Sequence, residues 1–596
     1  MNEVIDLLLS RLNEQQKEIV KSNENLLVTA CPGSGKTRVL THKLAYNVLS
    51  YPQSRKKIVA ITYTNRAADE IKDRLELLDV EQISVWAGTI HQFCLEHIIY
   101  PYAMFLPRVC KGFKIIDEYM QAQYLKAILD ELGIDMPFYE RAKIKTSLNL
   151  AMEITEEKQP HVVERYHEVL LERKEIDFDL ILSLSYQILL SHPIASKNVA
   201  NTIRSIYVDE YQDTNESQYQ IIGMLAKASP LIKLMFVGDT DQAIYGSLGG
   251  VAKDINELEK ITELRFSKAT LNGCYRSTQR IIDYYSQFQK DRYDITSLSP
   301  KADVKGIIAL DSSIHKDNIY QAIADIIQKT VSNGVPQDEI CVIAPQWYLL
   351  YPLSKILHEL LPGILFDAPD ISPIKPDDMN IFYKLSKLIF TDPGKKVTRR
   401  KRIATEILKM LTEEYGLLLQ EDMDCFWLLQ KINSVHPDTS NGIKYYSQVA
   451  EAVLSSCNIN RSDFPSLFEI YHAFLEKTND RIKSFDLADD LDAFKKVFKE
   501  KTGVVIPSCH KVKGEEYNTV ITFGVLYGMI PHWDTIYSPT LSEEDEAKKM
   551  LYVIASRAKE SLYLFAERGR TTKKSVYSLT RILTNYQYDY DAWTTL

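Results

Sequence analysis

The feature that most constrains the fold is residues 27–37, near the N-terminus. An apolar run leads into Gly33-Ser34-Gly35-Lys36-Thr37, and Arg38-Val39-Leu40 can then open a helix. Small, freely bending residues at a helix N-terminus present backbone N–H groups to phosphate. The usual first glycine of this phosphate-binding loop is Ala30 here, so the strict pattern is missed by one position. A strand-to-helix turn that binds no nucleotide is the alternative interpretation.

The spacing predicts the roles of Lys36 and Thr37, which end this loop. Lys36 is predicted to reach the β- and γ-phosphates, and the Thr37 hydroxyl to hold Mg²⁺. A nucleoside triphosphate and Mg²⁺ are therefore the expected ligands. The loop residues predicted to bind the nucleotide are Ala30, Cys31, Pro32, Gly33, Ser34, Gly35, Lys36, Thr37 and Arg38.

Length and charge bound the class of protein. A chain of 596 residues is too long for one core and predicts several domains. Its net charge of −9 excludes a polycation, so a nucleic-acid partner requires a local basic groove.

Cysteine spacing and hydropathy indicate the cellular compartment of the protein. The 8 cysteines form no CxxC pair and none lies at zinc-ligand spacing from His, which favours a reducing compartment without a metal cluster. The N-terminus lacks the pattern of a signal peptide, and no apolar run reaches membrane-spanning length. We expect a cytoplasmic protein with no membrane partner.

Alternating elements indicate an α/β fold. A polar helix is predicted over residues 11–24, and strands over 26–29 and 57–62, with Thr64 or Asn65 capping the helix after the second strand. Strands alternating with helices at this pace predict a parallel, doubly wound sheet. Strand-like runs return near residues 206, 235 and 340, and again between 504 and 565, whereas residues 96–190 and 375–500 have helical periodicity.

Two acidic motifs follow predicted strands. Asp209 is placed to bind Mg²⁺ through water, and Glu210 to accept a proton from the water that attacks the γ-phosphate. Gln242, four residues after Gly238, is placed to contact the γ-phosphate. An Asp-Glu pair and a Gly-Asp turn are each common, so neither proves a site alone.

Arg276 and Arg557 are candidates to face the transferring phosphoryl group. The guanidinium is rigid and always ionised, which suits developing charge on phosphate. Each arginine taken alone is more often part of a surface ion pair.

Taken in order, these motifs resemble the UvrD/Rep-like family of superfamily 1 helicases, across nearly the whole chain. The matching segments are Leu12-Asn13 with Gln16, residues 30–37, Thr62-Tyr63-Thr64-Asn65, Gly88-Thr89-Ile90-His91, Asp177-Phe178-Asp179-Leu180, residues 208–215, residues 237–246, Tyr275-Arg276-Ser277, residues 510–517 and residues 551–558.

The resemblance implies an α/β fold of two RecA-like P-loop domains with ATP in the cleft between them, each with a mostly helical inserted subdomain. The expected boundaries are 1–95 with 191–275 for the first domain and 96–190 for its insertion. The second domain is expected at 276–374 with 501–596, and its shortened insertion at 375–500.

The resemblance also assigns residues. Gln16 would read adenine, Tyr275 would stack on it, and Glu516 would approach the ribose. Gln242, Arg276 and Arg557 would sense or stabilise the γ-phosphate. The expected contacts to single-stranded DNA are Tyr63, Thr64, Asn65, Thr89, His91, Tyr245 and His510. Aromatic faces stack on bases of any sequence, although Tyr63 and Tyr245 are also explained as packed side chains.

The chain departs from the family pattern in three places. Ser247-Leu248-Gly249 replaces the family's Trp-Arg-Gly, which removes one stacking platform and one positive charge beside ATP. Cys274 replaces an Asn, which we interpret as a packing change. In the shortened second insertion, the basic run 395–402 is either a contact to duplex DNA or a solvated helix start.

Two functions follow from these observations. The first is an ATP-driven DNA translocase or helicase of 3′–5′ polarity that binds single strands and duplex junctions. The second, favoured by the missing Trp-Arg, is a DNA-sensing ATPase subunit that regulates a nuclease or ATPase partner chain in phage defence or DNA repair. A P-loop ATPase without a nucleic-acid partner is a third reading that the motifs at Thr64, His91 and His510 argue against.

Overall fold

A computed structural model describes residues 2–593 except 79–83, 142–143, 155–158, 245–248, 369–371, 500, 539–540 and 573–574. Tyr245, Ser247 and Leu248 therefore lie outside the described residues. The chain forms two compact units, residues 1–304 with 548–552 and residues 305–547 with 553–596.

The first unit is built on a parallel sheet of six strands within the described residues. The strands are β1 (Leu26–Ala30), β2 (Lys57–Thr62), β3 (Val85–Thr89), β4 (Ile203–Asp209), β5 (Lys233–Gly238) and β6 (Ser267–Leu271). Their order is β3-β2-β4-β5-β1-β6, with Val28 opposite Val237 and Ala30 opposite Leu271. The prediction of a parallel α/β sheet is confirmed.

Helices of the first unit pack against this sheet and shield its apolar side chains. Val39, Leu40 and Leu44, on the helix after the phosphate-binding loop, share one core with Val28 and Tyr207 of the strands. The helices around the sheet are Asn2–Ser10, Glu14–Lys21, Lys36–Ser50, Asn65–Leu77, Ile90–Cys94, Glu216–Ala228, Ile255–Thr262 and Gln279–Ser286.

Capping residues decide where two of these helices begin. The predicted helix 11–24 spans only Glu14–Lys21, because the Asn13 side chain accepts a hydrogen bond from Gln16 N and starts the helix there. Ser22, with extended backbone, ends it. Thr64, one of the two predicted caps, caps the helix Asn65–Leu77 by accepting from Ala67 N.

The region between β3 and β4 is mainly helical, as its periodicity predicts. Its longer helices are Glu118–Glu131, Pro160–Arg173, Phe178–Ser191 and Pro193–Asn201. Among the described residues no single helix is both long and apolar enough to cross a membrane, although the last two, bent by 105°, together pass that test. Leu180 and Ile188, on the longer of the two, are buried within the protein.

The second unit has its own parallel sheet, again of six strands in the described part of the chain. The strands are β7 (Ile307–Asp311), β8 (Ile340–Ile343), β9 (Phe366–Asp367), β10 (Val504–Val505), β11 (Tyr517–Thr522) and β12 (Ala558–Phe565). Their order is β7-β12-β11-β8-β10-β9. Helices Ile319–Ser332, Leu350–Leu360, Trp533–Ile536, Glu543–Ala555 and Arg581–Asn585 lie in the segments between and after these strands, although residues 548–552 belong to the first unit.

A separate helical core lies between β9 and β10. The helices are Ile381–Ile389, Val397–Glu413, Cys425–Ser434, Gly442–Ser456, Pro465–Ser484 and Leu491–Lys496, around buried Phe382, Leu428 and Tyr446. Arg400, inside the basic run, is only 4% exposed and donates to Leu388 O, Thr391 O and Asn433 Oδ1. This arginine therefore fits neither interpretation of the run, since it ties three structural segments together.

Candidate functional site

The loop between β1 and the helix Lys36–Ser50 depends on two glycines with positive φ. Gly33 has φ 71° and Gly35, which begins the helix, has φ 81°. A Cβ on Gly33 would lie 2.6 Å from the Cβ of Arg276 and 3.0 Å from Cys274 Sγ. Only glycine fits both the conformation and the space, and the loop is free to turn its N–H groups toward an anion at the helix N-terminus.

Lys36 meets three carboxylates of the same unit. Its Nζ lies 3.2 Å from Glu210 Oε1 and donates to Glu210 Oε2 at 3.4 Å. Burial lowers the pKa of Lys36, but the charges of Glu210, Asp239 and Asp209 outweigh it, so the pKa is raised above its ordinary value. Lys36 is therefore held as a cation at the mouth of the loop.

Asp209 and Glu210 stand where β4 ends. Burial, together with the neighbouring Glu210 charge, raises the pKa of Asp209 to about 7. Glu210 has left-handed backbone angles, φ 51° and ψ 46°, which are strained for a residue with a side chain. Gln212 Nε2 donates to Glu210 Oε2 at 2.5 Å, so Lys36 and Gln212 hold this carboxylate from two sides.

The oxygen donors at this strand end fit Mg²⁺. Magnesium is usually bound by one or two carboxylates together with phosphate oxygens and water, not by a cage of protein ligands. The described residues contain no group of three or more His, Cys, Asp or Glu side chains arranged to hold a metal. The Asp209 carboxylate and the Thr37 hydroxyl are the hard oxygen ligands that the sequence predicts here.

Gln242 is fixed by a buried carboxylate next to this cluster. Asp239, fully buried after β5, accepts hydrogen bonds at Oδ2 from Gln242 Nε2 (2.7 Å) and from Tyr552 OH (3.2 Å), which belongs to the same unit. Gln212 Oε1 accepts from Asp239 N at 3.1 Å. Gln212 thus bridges Glu210 and Asp239.

Sequence reasoning did not single out Gln212, Asp239 or Tyr552 as site residues. Each lies inside a recognised motif, but only the folded contacts distinguish it from its neighbours. Gln212 packs so closely against Gly238 that a Cβ at position 238 would lie 2.1 Å from Gln212 Oε1.

The residues predicted to bind the base lie together beside the loop. Gln16, 1% exposed, donates from Nε2 to Ser34 O at 3.1 Å, and its Oε1 accepts from Asn13 N. Tyr275 N donates to Gly33 O at 2.9 Å, and the Tyr275 hydroxyl accepts from Asn13 Nδ2 at 2.8 Å. The Tyr275 ring is 39% exposed, so it presents a face for stacking while both of its ends are tethered.

Arg276 and Arg557 lie in different units. Arg276 is in the first, with its Cβ against the phosphate-binding loop at Gly33. Arg557 is in the second and is 1% exposed; its guanidinium donates to Val553 O, Glu515 O and Ser556 Oγ. In the same unit, Glu516 pairs with Lys559 at 3.6 Å, and His510 is exposed in a turn.

The hydroxyls among the predicted DNA contacts cap helices. Thr64 accepts from Ala67 N, and Thr89 accepts from Gln92 N. A threonine oxygen that accepts in this way keeps its own O–H free to donate, so capping is compatible with binding phosphate.

The remaining predicted contacts differ in exposure. Tyr63 is 42% exposed, and burial of its hydroxyl together with the Asp213 charge raises its pKa to about 12. Asn65 has a buried Oδ1 without a hydrogen-bond partner among the described residues. His91 packs edge-on against Phe178 at 5.7 Å, and burial lowers its pKa to about 4, so its imidazole is neutral at pH 7.

Two family models match the sequence of the chain. Residues 12–263 match the UvrD/REP helicase N-terminal domain, and residues 462–569 match the UvrD-like helicase C-terminal domain. The chain belongs to the UvrD/Rep family of helicases.

Individual relatives match over nearly the full chain. The protein named ATP-dependent DNA helicase PcrA of Bacillus subtilis (strain 168) is 26% identical over 659 aligned residues, covering 96% of this chain and 85% of the relative. The protein of the same name from Staphylococcus aureus (strain Mu50) is 26% identical over 642 residues, covering 94% and 84%.

Proposed function

We propose that this protein is an ATP-dependent single-stranded DNA translocase and helicase of 3′–5′ polarity. The observation that carries the proposal is the ion pair between Lys36 and Glu210, held beside a glycine-dependent loop of the kind that binds phosphate. The ordered helicase motifs and the relatives named as DNA helicases support the DNA partner.

Phosphate binding and hydrolysis are assigned to the first unit. The loop N–H groups and Lys36 bind the β- and γ-phosphates, while Thr37 and Asp209 are the residues that would hold Mg²⁺. When bound, the metal would supply positive charge that offsets charge building up on the phosphates. ATP entering the loop would draw Lys36 toward phosphate, and the Glu210 carboxylate would then accept a proton from the attacking water.

Nucleotide recognition and γ-phosphate sensing use residues from both sequence halves. We assign Gln16 and Tyr275 to adenine, because both are tethered beside the loop. We assign Glu516 to the ribose, because it lies in the matching helicase motif at residues 510–517. Gln242, Arg276 and Arg557 are assigned to the γ-phosphate. Asp239 supports this role for Gln242 by fixing its amide from one side.

Single-stranded DNA is assigned to Tyr63, Thr64, Asn65, Thr89, His91, Tyr245 and His510. The exposed ring of Tyr63 suits base stacking, which contributes about 1–3 kcal/mol per base. The division at residues 95, 190, 275, 374 and 500, with helical insertions in two RecA-like domains, remains part of this proposal. A cytoplasmic location fits the eight cysteines, all of which are described and none of which forms a disulfide.

Strand displacement tests polarity directly. The substrates are a labelled duplex with a 3′ single-stranded tail and the same duplex with a 5′ tail. We expect ATP-dependent displacement from the 3′ tail, none from the 5′ tail, and none with Lys36→Ala. Displacement from the 5′ tail alone would contradict the proposed polarity. DNA binding with slow ATP turnover and no displacement would instead favour the regulatory subunit suggested by Ser247 and Leu248.

A further inference from the structure

Lys43 is a buried lysine on the helix that follows the phosphate-binding loop. It is 2% exposed, and its Nζ donates to three backbone carbonyls: Ser22 O at 2.7 Å, Ile19 O at 2.9 Å and Val20 O at 3.4 Å. The Tyr207 ring lies 5.8 Å from the same ammonium. A buried ammonium is expensive, and burial lowers the pKa of Lys43 to about 8.

The three carbonyls belong to the end of the helix Glu14–Lys21, whose C-cap is Ser22. The last carbonyls of a helix have no partner within the helix and carry the negative end of its dipole. The ammonium of Lys43 satisfies them and joins this short helix to the helix Lys36–Ser50. These hydrogen bonds explain why a lysine ammonium occupies a buried position where an apolar side chain would have no desolvation cost.

The opposite end of the same short helix carries Gln16. Its amide donates to Ser34 O of the loop and accepts from Asn13 N. The eight-residue helix is about 12 Å long. Gln16 joins its N-terminal end to the phosphate-binding loop, and Lys43 joins its C-terminal end to the helix that follows this loop. A shift at the Lys43 end would tilt the helix and displace the Gln16 amide.

We propose that Lys43 is a positioning residue for recognition of the nucleotide base, setting the place of Gln16 relative to the phosphate-binding loop. The inference rests on the proposed role of Gln16 in reading adenine. Lys43 touches neither base nor phosphate in this scheme. It acts by fixing the helix from which the base is read.

The test compares ATP and GTP turnover in the full-length protein at saturating oligo(dT). Lys43→Met keeps length and removes the charge and donors, Lys43→Gln keeps one amide donor group, and Lys43→Arg restores the charge. We expect Lys43→Met to raise KM for ATP about tenfold, the scale of a lost or misplaced hydrogen bond. KM for GTP and both kcat values should stay within about twofold, since the phosphate-binding residues are untouched.

Four outcomes separate the possibilities. Loss of ATP preference in both Lys43→Met and Gln16→Ala, with preference restored in Lys43→Arg, supports the inference. Equal rises of KM for ATP and GTP in Lys43→Met would overturn it, because they indicate general damage to the loop. If Gln16→Ala abolishes the preference and folded Lys43→Met and Lys43→Gln do not, the inference fails while the proposed role of Gln16 stands. If Gln16→Ala leaves the preference intact, both fail.

Discussion

The two parallel sheets each have six strands among the described residues, but the carboxylates that follow their strands have different surroundings. After β4 and β5 of the first sheet, Asp209, Glu210 and Asp239 surround Lys36. After β12 of the second sheet, Glu567 is fully buried, accepts from Gly524 N at 2.9 Å and pairs with Arg570. The carboxylates of the first sheet surround the ion-paired Lys36, whereas Glu567 of the second sheet is enclosed by Gly524 and Arg570.

This difference shows where function resides in such a fold. Both sheets bury apolar strands, and in both the carboxyl ends of the strands bring loops together. In the first, two positive-φ glycines and the strained Glu210 keep polar groups available to a ligand. In the second sheet, Glu567 stabilises the fold through Gly524 and Arg570. The same glutamate-to-glutamine change should therefore affect activity in one unit and stability in the other.

Glu210→Gln should have the largest effect. The amide cannot accept the proton of the attacking water, so kcat for ATP hydrolysis should fall about 10³-fold, within the range for loss of a general base. Binding of ATP, measured by fluorescence titration, should persist because Lys36 loses a competing carboxylate. A kcat within a factor of ten of the wild type would remove Glu210 from this role.

Glu567→Gln is the matched change in the second unit. It leaves Arg570 without its buried partner, and the free energy of unfolding should fall by about 3 kcal/mol. Chemical denaturation followed by circular dichroism measures this. The kcat at saturating DNA should stay within about threefold, because no phosphate contact is altered. A large loss of kcat in a fully folded variant would show that the two carboxylates are not functionally distinct.

Gly238→Ala tests the packing of Gln212 against the first sheet. The new Cβ would lie 2.1 Å from Gln212 Oε1 and 2.7 Å from the Tyr211 ring, so Gln212 must move away from Glu210. We expect a loss of about 2 kcal/mol in stability, typical of overpacking, together with a measurable loss of kcat. Gly363→Ala is the control, since nothing lies within 4 Å of its Cβ position. Equal behaviour of the two variants would contradict the tight packing at Gly238.

His91→Gln should give the smallest effect, visible in the pH dependence of stability. Between pH 6.5 and 4 the unfolded chain binds a proton at His91 that the folded protein does not, so the free energy of unfolding falls as the pH falls. Glutamine cannot take up this proton. Across that window the variant should lose about 1–2 kcal/mol less than the wild type. Parallel stability curves for the two proteins would show that His91 is not buried as a neutral group.

Local patterns predicted much of the fold. The strand at residues 57–62 has the predicted bounds, and Thr64 caps the next helix, because apolar runs and capping depend on neighbouring residues. The acidic cluster at Lys36 followed from motif order. Gln212, Lys43 and Arg400 were beyond prediction, since a polar residue type does not reveal burial. Each also has a partner on another element: Asp239 for Gln212, Ile19 for Lys43 and Asn433 for Arg400.

Steady-state ATP turnover in Mg²⁺, measured as oligo(dT) is added, tests the proposed function most directly. We predict turnover that rises with single-stranded DNA and saturates, and that disappears in Lys36→Ala and Glu210→Gln, while duplex without a single-stranded tail stimulates weakly. Turnover that ignores DNA, or that survives Glu210→Gln, would contradict the claim that the first unit hydrolyses ATP in response to a DNA strand.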